Sequence, residues 1–204
     1  VSGTTVHLTG AGSCTITASQ AGDVNYNAAP DVPQTFTIAA AAKQDQTITF
    51  GALSSKTFGD PDFTVSATSS SGLPASFGAS GNCTVSGATV HLSAAGSCTI
   101  TASQAGNATY NAAPDVPRTF TIAQANQTIT FKKLGAKKLG SPDFTVAATA
   151  SSGLTVSFAA RGSCTVTGTT VHLTANGTCT ITASQPGDSN YNPAASVANS
   201  FKVQ

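Results

Sequence analysis

The sequence predicts an all-β protein built from tandem two-sheet β-sandwiches, and three observations carry that expectation. Apolar residues alternate with polar ones at period two, with no helical stripe. Turn signals rich in Gly, Pro, Asn and Ser interrupt the alternation at roughly ten-residue spacing. The pattern also repeats. NCTVSGATVHLSAAGSCTITASQAGNATYN, residues 82–111, returns as SCTVTGTTVHLTANGTCTITASQPGDSNYN over 163–192, and its later part opens the chain over 1–27.

The landmarks of the repeat fix its length. His7, His91 and His172 are separated by 84 and 81 residues, as are Cys14, Cys98 and Cys179, and Tyr26, Tyr110 and Tyr191. The difference of three lies between Phe36 and Gln46, ten positions apart, against seven from Phe120 to Gln127. Insertions collect where few contacts cross, so AAAAKQD and AQAN are joints. The expected organisation is the C-terminal half of one repeat over 1–42, then complete repeats over 45–124 and 126–204.

Within the middle repeat each strand is justified by parity. QTITF, residues 46–50, alternates as a half-buried strand does. After the Phe58-Gly59-Asp60-Pro61 turn, Phe63, Val65 and Ala67 share one face. Ser70-Ser71-Gly72 breaks the pattern before Ala75 and Phe77 resume it. Cys83 and Val85 point inward, and Ser86-Gly87 turns the chain. Val90 and Leu92 point inward with His91 outward. Ala95-Gly96 turns the chain again before Cys98, Ile100 and Ala102. Phe120 and Ile122 close the repeat. That makes about seven short strands, a two-sheet sandwich by length and spacing.

Composition bounds the function. Net charge is +1 with 8% charged residues, and nucleic-acid binding needs a basic face that this balance does not supply. The longest apolar run, residues 38–42, is far too short to span a bilayer. The five cysteines show no CxxC and no Cys/His metal spacing. Cys83 and Cys98, and Cys164 and Cys179, stand 15 apart in each full repeat. Such fixed pairs in small modules read as disulfides formed in an oxidising space, each worth roughly 3 kcal/mol in the chain-entropy account. Val1 aligns with Val85, so the partner expected for Cys14 would fall two positions before Val1, upstream or in another chain.

Taken together, the QTITF opening, the GDPDFTVSATSSSGLPASF middle and the CTITASQAGNATYN end resemble bacterial immunoglobulin-like repeats across essentially all of the chain. The resemblance implies tandem immunoglobulin-like sandwiches along a large secreted or surface-anchored protein. Two departures from antibody-type domains matter: no Trp lies between the cysteines, and 15 residues is too close for the usual inter-sheet bridge. The bridge is therefore expected to be local, joining neighbouring strands of the later half.

No catalytic or cofactor site is expected. One outward histidine per repeat, at sandwich spacing, cannot converge on a metal within one chain. Asp60 and Asp62 flank Pro61, but Ser141 replaces the first of them in the last repeat, so paired carboxylates are not kept. The Asp23, Asn107 and Asp188 loops read as Asx turns in preference to calcium ligands. Lys56 and Lys137 align, but isopeptide chemistry lacks a Glu partner. The KKLGAKK run over 132–138 reads as a solvated loop, with an anionic glycan as the rival contact. Asn82, Asn107, Asn126 and Asn176 each begin an N-x-Ser/Thr sequon and are possible glycosylation sites.

The functional expectation is a structural extracellular segment, a stalk, fibre or filament, whose partners are neighbouring repeats and other copies of the chain. The alternative is an adhesive module for glycans or a surface partner, for which Tyr26, Tyr110 and Tyr191 are the aromatic candidates. In the opening half-repeat, Val6, Leu8, Ile16 and Phe36 present an apolar face with no second sheet. Strand donation from another chain would cover it if Val1 is a true terminus.

Overall fold

A computed structural model describes residues 2–204; Val1, and with it any reading of that terminus, lies outside the described residues. The chain divides into two compact units, Val1–Gln46 with Ala105–Ala112, and Thr47–Gln104 with Ala113–Gln204.

Among the described residues, the strands of the first unit form a hairpin. Strand β1 (Gly12–Gln20) pairs antiparallel with β2 (Ala29–Ile38), Cys14 opposite Phe36, with a register shift between Ala18 and Gln20. Of the four residues expected to form one apolar face, Val6, Leu8 and Phe36 are 39%, 56% and 42% exposed and Ile16 is half-buried. Cys14 is half-buried and unbonded.

The second unit contains two sandwiches with separate cores. In the first, the elements are β3 (Ile48–Phe50), β4 (Lys56–Thr57), β5 (Phe63–Thr64), β6 (Ala67–Ser69), β7 (Ser76–Gly81), β8 (Cys83–Ser86), β9 (Thr89–Leu92), β10 (Gly96–Ser103) and β11 (Val116–Ala123). One layer is the ladder β4-β11-β10-β7, in which β4 runs parallel to β11. The other layer comes in two pieces, β3-β6 and β5-β9-β8. Strands β5 and β6 are consecutive parts of one extended run: Phe63 pairs with Val90 at its start and Ala67 with Phe50 at its end. That run links the two pieces, so the seven strands expected from parity are all present. The eighth element, β4, was invisible to that reading because Lys56–Thr57 offers only two residues and no apolar alternation.

The second sandwich repeats this plan with β12 (Ile129–Phe131), β13 (Phe144–Thr145), β14 (Ala148–Ala150), β15 (Ser157–Gly162), β16 (Cys164–Thr167), β17 (Thr170–Leu173), β18 (Gly177–Ser184) and β19 (Val197–Val203). Where β4 would recur, Lys137 makes a single parallel bridge to Val203.

The cores are the inward parity sets. Val90, Cys98, Ile100, Ala102 and Ile122 are almost wholly buried around Phe50 and Phe120. Val171, Cys179, Ile181 and Ala183 do the same around Phe131 and Phe201. Burying each Val, Ile or Phe among them contributes about 1.5–3 kcal/mol, which is what holds strands too short to persist alone.

Both disulfides are formed, Cys83–Cys98 and Cys164–Cys179, with Cα separations of 5.6 and 5.4 Å. Their placement corrects the expectation of a link between neighbouring strands. Cys83 opens β8 in one layer and Cys98 lies on β10 in the other, so each bridge is local in sequence but crosses between the sheets. The reason is the corner at Gly81 and Asn82. Gly81 is still opposite Cys98 on β7, and two residues later the chain has entered the facing layer.

Candidate functional site

The most heavily built place in the second unit is the joint between its two sandwiches. Four linker residues, Gln124 to Gln127, are strapped to the loop that follows β18. Ala125 donates its N–H to the Asn190 carbonyl and accepts from the Asn192 N–H, both at 2.9 Å. Gln124 Nε2 donates to the Asp188 carbonyl at 2.7 Å, and Asn192 Nδ2 to Asn126 Oδ1 at 2.9 Å.

The loop itself is shaped by Asp188. Its Oδ1 accepts the N–H groups of Asn190 and Tyr191 at 2.8 and 2.9 Å, and its own N–H returns to the Tyr191 carbonyl at 3.0 Å. This is the Asx turn expected from the GDxNYN pattern. Asp23 forms it with Asn25 and Tyr26, and Asn107 forms it with Thr109 and Tyr110. Replacing Asp by Asn at position 107 is harmless because only an acceptor oxygen is needed.

So shaped, the loop projects two groups onto the preceding sandwich. The Tyr191 ring meets Phe58 edge-on, centroids 5.6 Å apart at 89°. Asn190 Oδ1 accepts the Ala95 N–H at 2.9 Å. Phe58 sits in the turn after β4 and Ala95 in the turn before β10, so the receiving surface is made by two turns of one sandwich end. The contact combines an aromatic pair with a hydrogen bond to a backbone donor, and both fix orientation.

Behind the joint lies a buried polar node. Gln127 shares the inward face of Ile129 and Phe131 and is buried. Its Nε2 donates to Gln185 Oε1 at 2.7 Å and to the Asn192 carbonyl at 2.8 Å, while its Oε1 accepts from Ser152 Oγ. A buried amide satisfied on both sides locks the start of β12 to the loop. In the first unit the corresponding strap is present: Gln44 donates to the Thr109 carbonyl, Asn111 Nδ2 to Asp45, and Gln46 Nε2 to the Asn111 carbonyl.

The remaining singled-out residues are dispersed. His91 and His172 are exposed, and each Nδ1 is within 2.8 Å of Asp62 or Asp143. In the sequence Asp62 stands out only for flanking Pro61 with Asp60, and Asp143 does not stand out at all. The antiparallel register of Phe63 with Val90 is what brings Asp62 to His91. The Lys56 and Lys137 ammonium groups lie over Phe63 and Phe144 at 4.6 and 4.7 Å, the cation–π arrangement. Among the described residues no group of three His, Cys, Asp or Glu is placed to share a metal.

Of the sequon residues, Asn107, Asn126 and Asn176 are exposed. Asn82 is half-buried, and its Nδ2 donates to the Ala95 carbonyl at 2.5 Å. Among the described residues no helix is long and apolar enough to cross a membrane.

No protein-family model and no curated protein sequence matches the chain. Among solved structures, mouse protocadherin-24 EC1-3 is similar at 13% identity, covering 94% of this chain and 80% of that one, with a TM-score of 0.39. Drosophila N-cadherin EC1-4 is similar at 11% identity and a TM-score of 0.31, and a protocadherin gammaB7 EC3-6 cis-dimer at 13% and 0.34. Each of those two is matched over 94% of this chain, which spans 58% and 56% of their lengths.

Proposed function

We propose that the chain is a structural segment of an extracellular protein, in which immunoglobulin-like modules over 1–42, 45–124 and 126–204 serve as spacers of fixed length. The observation that carries this reading is the joint. A linker whose backbone is hydrogen-bonded into the next module, with Tyr191 and Asn190 seated on the module before, transmits orientation from one sandwich to the next. A flexible tether would need none of these contacts. The disulfides support an oxidising, extracellular setting. The repeated residues build staples, turns and joints.

The adhesive alternative requires exposed aromatic platforms. Tyr191 is already engaged by Phe58, which takes one of its three candidate rings away from any glycan.

A series of chains with one, two and three further copies of residues 126–204 appended tests the spacer reading. Small-angle scattering should show the maximum dimension growing by a constant increment per copy. Growth that falls away as the square root of the number of modules, as for a flexible tether, would sink it.

A further inference from the structure

We infer that each complete repeat is built to carry tension along the chain, through a shear latch at its edge and a disulfide that shortens its load path. In the middle repeat the latch is β4 against β11. One element lies near the start of the repeat and the other ends it, yet they are neighbours and run parallel, Lys56 beside Ile122 and Thr57 beside Ala123. Pulling the repeat by its two ends therefore drags β4 and β11 in opposite directions along their own axes. Every hydrogen bond between them is loaded at once, whereas a hairpin pulled by its two free ends opens one bond at a time. Phe58 extends the contact, donating its N–H to the Ala123 carbonyl at 2.9 Å.

Side chains anchor the latch to the core. The Lys56 ammonium lies 4.6 Å from the Phe63 ring centroid, and Phe63 stands edge-on to Phe120 of β11 at 5.8 Å. The last repeat keeps the arrangement. Lys137 donates its N–H to the Lys202 carbonyl at 2.9 Å and accepts from the Gln204 N–H at 3.0 Å. Its ammonium lies over Phe144, which packs edge-on against Phe201. This accounts for the aligned lysines and for a two-residue strand without apolar alternation.

Behind the latch the disulfide reroutes the load. Once β4 has slipped, tension arriving from the N-terminal side reaches Cys83 and crosses the sulfur bridge to Cys98. Residues 84–97, with the β8–β9 hairpin, sit in a closed loop that the force bypasses. The bridge also joins the two layers, so they stay covalently linked after the latch has failed. This inference rests on the repeats standing in series as spacers, as argued above, and adds the load they bear.

The test is single-molecule force spectroscopy on the full chain held by its two ends, in a Cys14→Ser background so that no free thiol reacts. Lys56→Pro removes a ladder N–H from the latch. At a fixed force the middle repeat should then unfold roughly 5-fold faster, the factor that one net hydrogen bond supplies. Val85→Ala is the comparison, because Val85 packs on the core inside the bridged loop. It should lower the resistance of the repeat to chemical denaturant and leave its unfolding rate under force unchanged. Replacing Cys83 and Cys98 by Ala should lengthen the chain released from the middle repeat by about 44–48 Å, which is 15 extended backbone steps less the 5.6 Å that the bridge spans. The last repeat, with its own bridge intact, is the reference in the same trace.

No acceleration by Lys56→Pro, equal acceleration by Val85→Ala, or an unchanged released length without the bridge overturns the inference. The rate comparison uses variants with both bridges intact, so it decides the matter even if the repeat without its bridge gives no unfolding event. None of these outcomes touches the spacer reading, which the scattering series tests in the absence of load.

Discussion

Tyr191, in the last sandwich, stands edge-on to Phe58 of the sandwich before it, ring centroids 5.6 Å apart at 89°. The tyrosine is carried on a loop fixed by Asp188, and the phenylalanine on a turn whose backbone is tied to Ala123. Two short, locally stabilised turns thus set the angle between two independently cored modules.

Phe58→Ala should leave both cores folded, since Phe58 is only half-buried at the edge of its own. The aromatic pair is worth about 0.5–1.5 kcal/mol, too little to unfold a module but enough to free the joint. NMR relaxation is the check. Backbone order parameters for residues 188–192 should fall from about 0.85, the rigid value, towards 0.6 or below. Unchanged order in the variant would show that the linker strap alone fixes the joint.

Replacing both Cys83 and Cys98 by Ala should destabilise the middle repeat selectively. Closing a 15-residue loop contributes about 3 kcal/mol, and about 1 kcal/mol shifts the midpoint of a domain this size by roughly 4–8 °C. Calorimetry should therefore show one transition lowered by roughly 12–24 °C, with the repeat holding Cys164–Cys179 unmoved. Equal shifts of both transitions would mean that the two cores unfold as one.

Gly162→Ala should be far more damaging than Gly168→Ala. Both glycines have positive φ, 88° and 60°, which costs an alanine about 1–2 kcal/mol. At Gly162 an added Cβ would also lie 2.1 Å from the Thr178 carbonyl oxygen, whereas at Gly168 it meets nothing within 4 Å. Gly162 stands opposite Cys179 at the corner where the chain changes layer, so the clash pries apart the site of the disulfide. Chemical denaturation of the two variants should separate them by more than 2 kcal/mol. Similar stabilities would show that the corner is soft.

In a host that glycosylates sequons, Asn82 should remain unmodified while Asn107, Asn126 and Asn176 are open to modification. The Asn82 Nδ2 is the donor to the Ala95 carbonyl and lies beneath Gly96, so a sugar on that nitrogen would break the turn that abuts the joint. Site-resolved glycopeptide mass spectrometry reads the occupancy directly, and high occupancy at Asn82 would contradict this packing.

Parity along each strand made the cores legible from sequence, because a residue's face in a sheet is set by period two alone. Val90, Leu92, Cys98, Ile100 and Ala102 are buried where alternation put them, and His91 is exposed. The joint was legible only as a linker. AQAN says that four residues connect two modules, but nothing in it announces that Ala125 is bonded on both sides to 190 and 192. Those contacts span more than sixty positions, and their direction depends on how two turns meet in space. The inter-sheet course of the disulfide was lost for a similar reason. Fifteen residues suggests adjacent strands, yet the Gly81–Asn82 corner moves the chain to the other layer within two residues. Gln127 reads in the sequence only as a polar member of an alternating strand, because alternation cannot show that a buried amide has found its partners.

The central claim, that successive sandwiches are held in one fixed orientation, is tested most directly by residual dipolar couplings measured on the full chain. Amide couplings from the core around Ile100 and from the core around Ile181 should fit a single alignment tensor. They should require two tensors once Tyr191 and Asn190 are both replaced by alanine. If the unsubstituted chain already needs two tensors of different magnitude, the joint is a tether and the account is wrong.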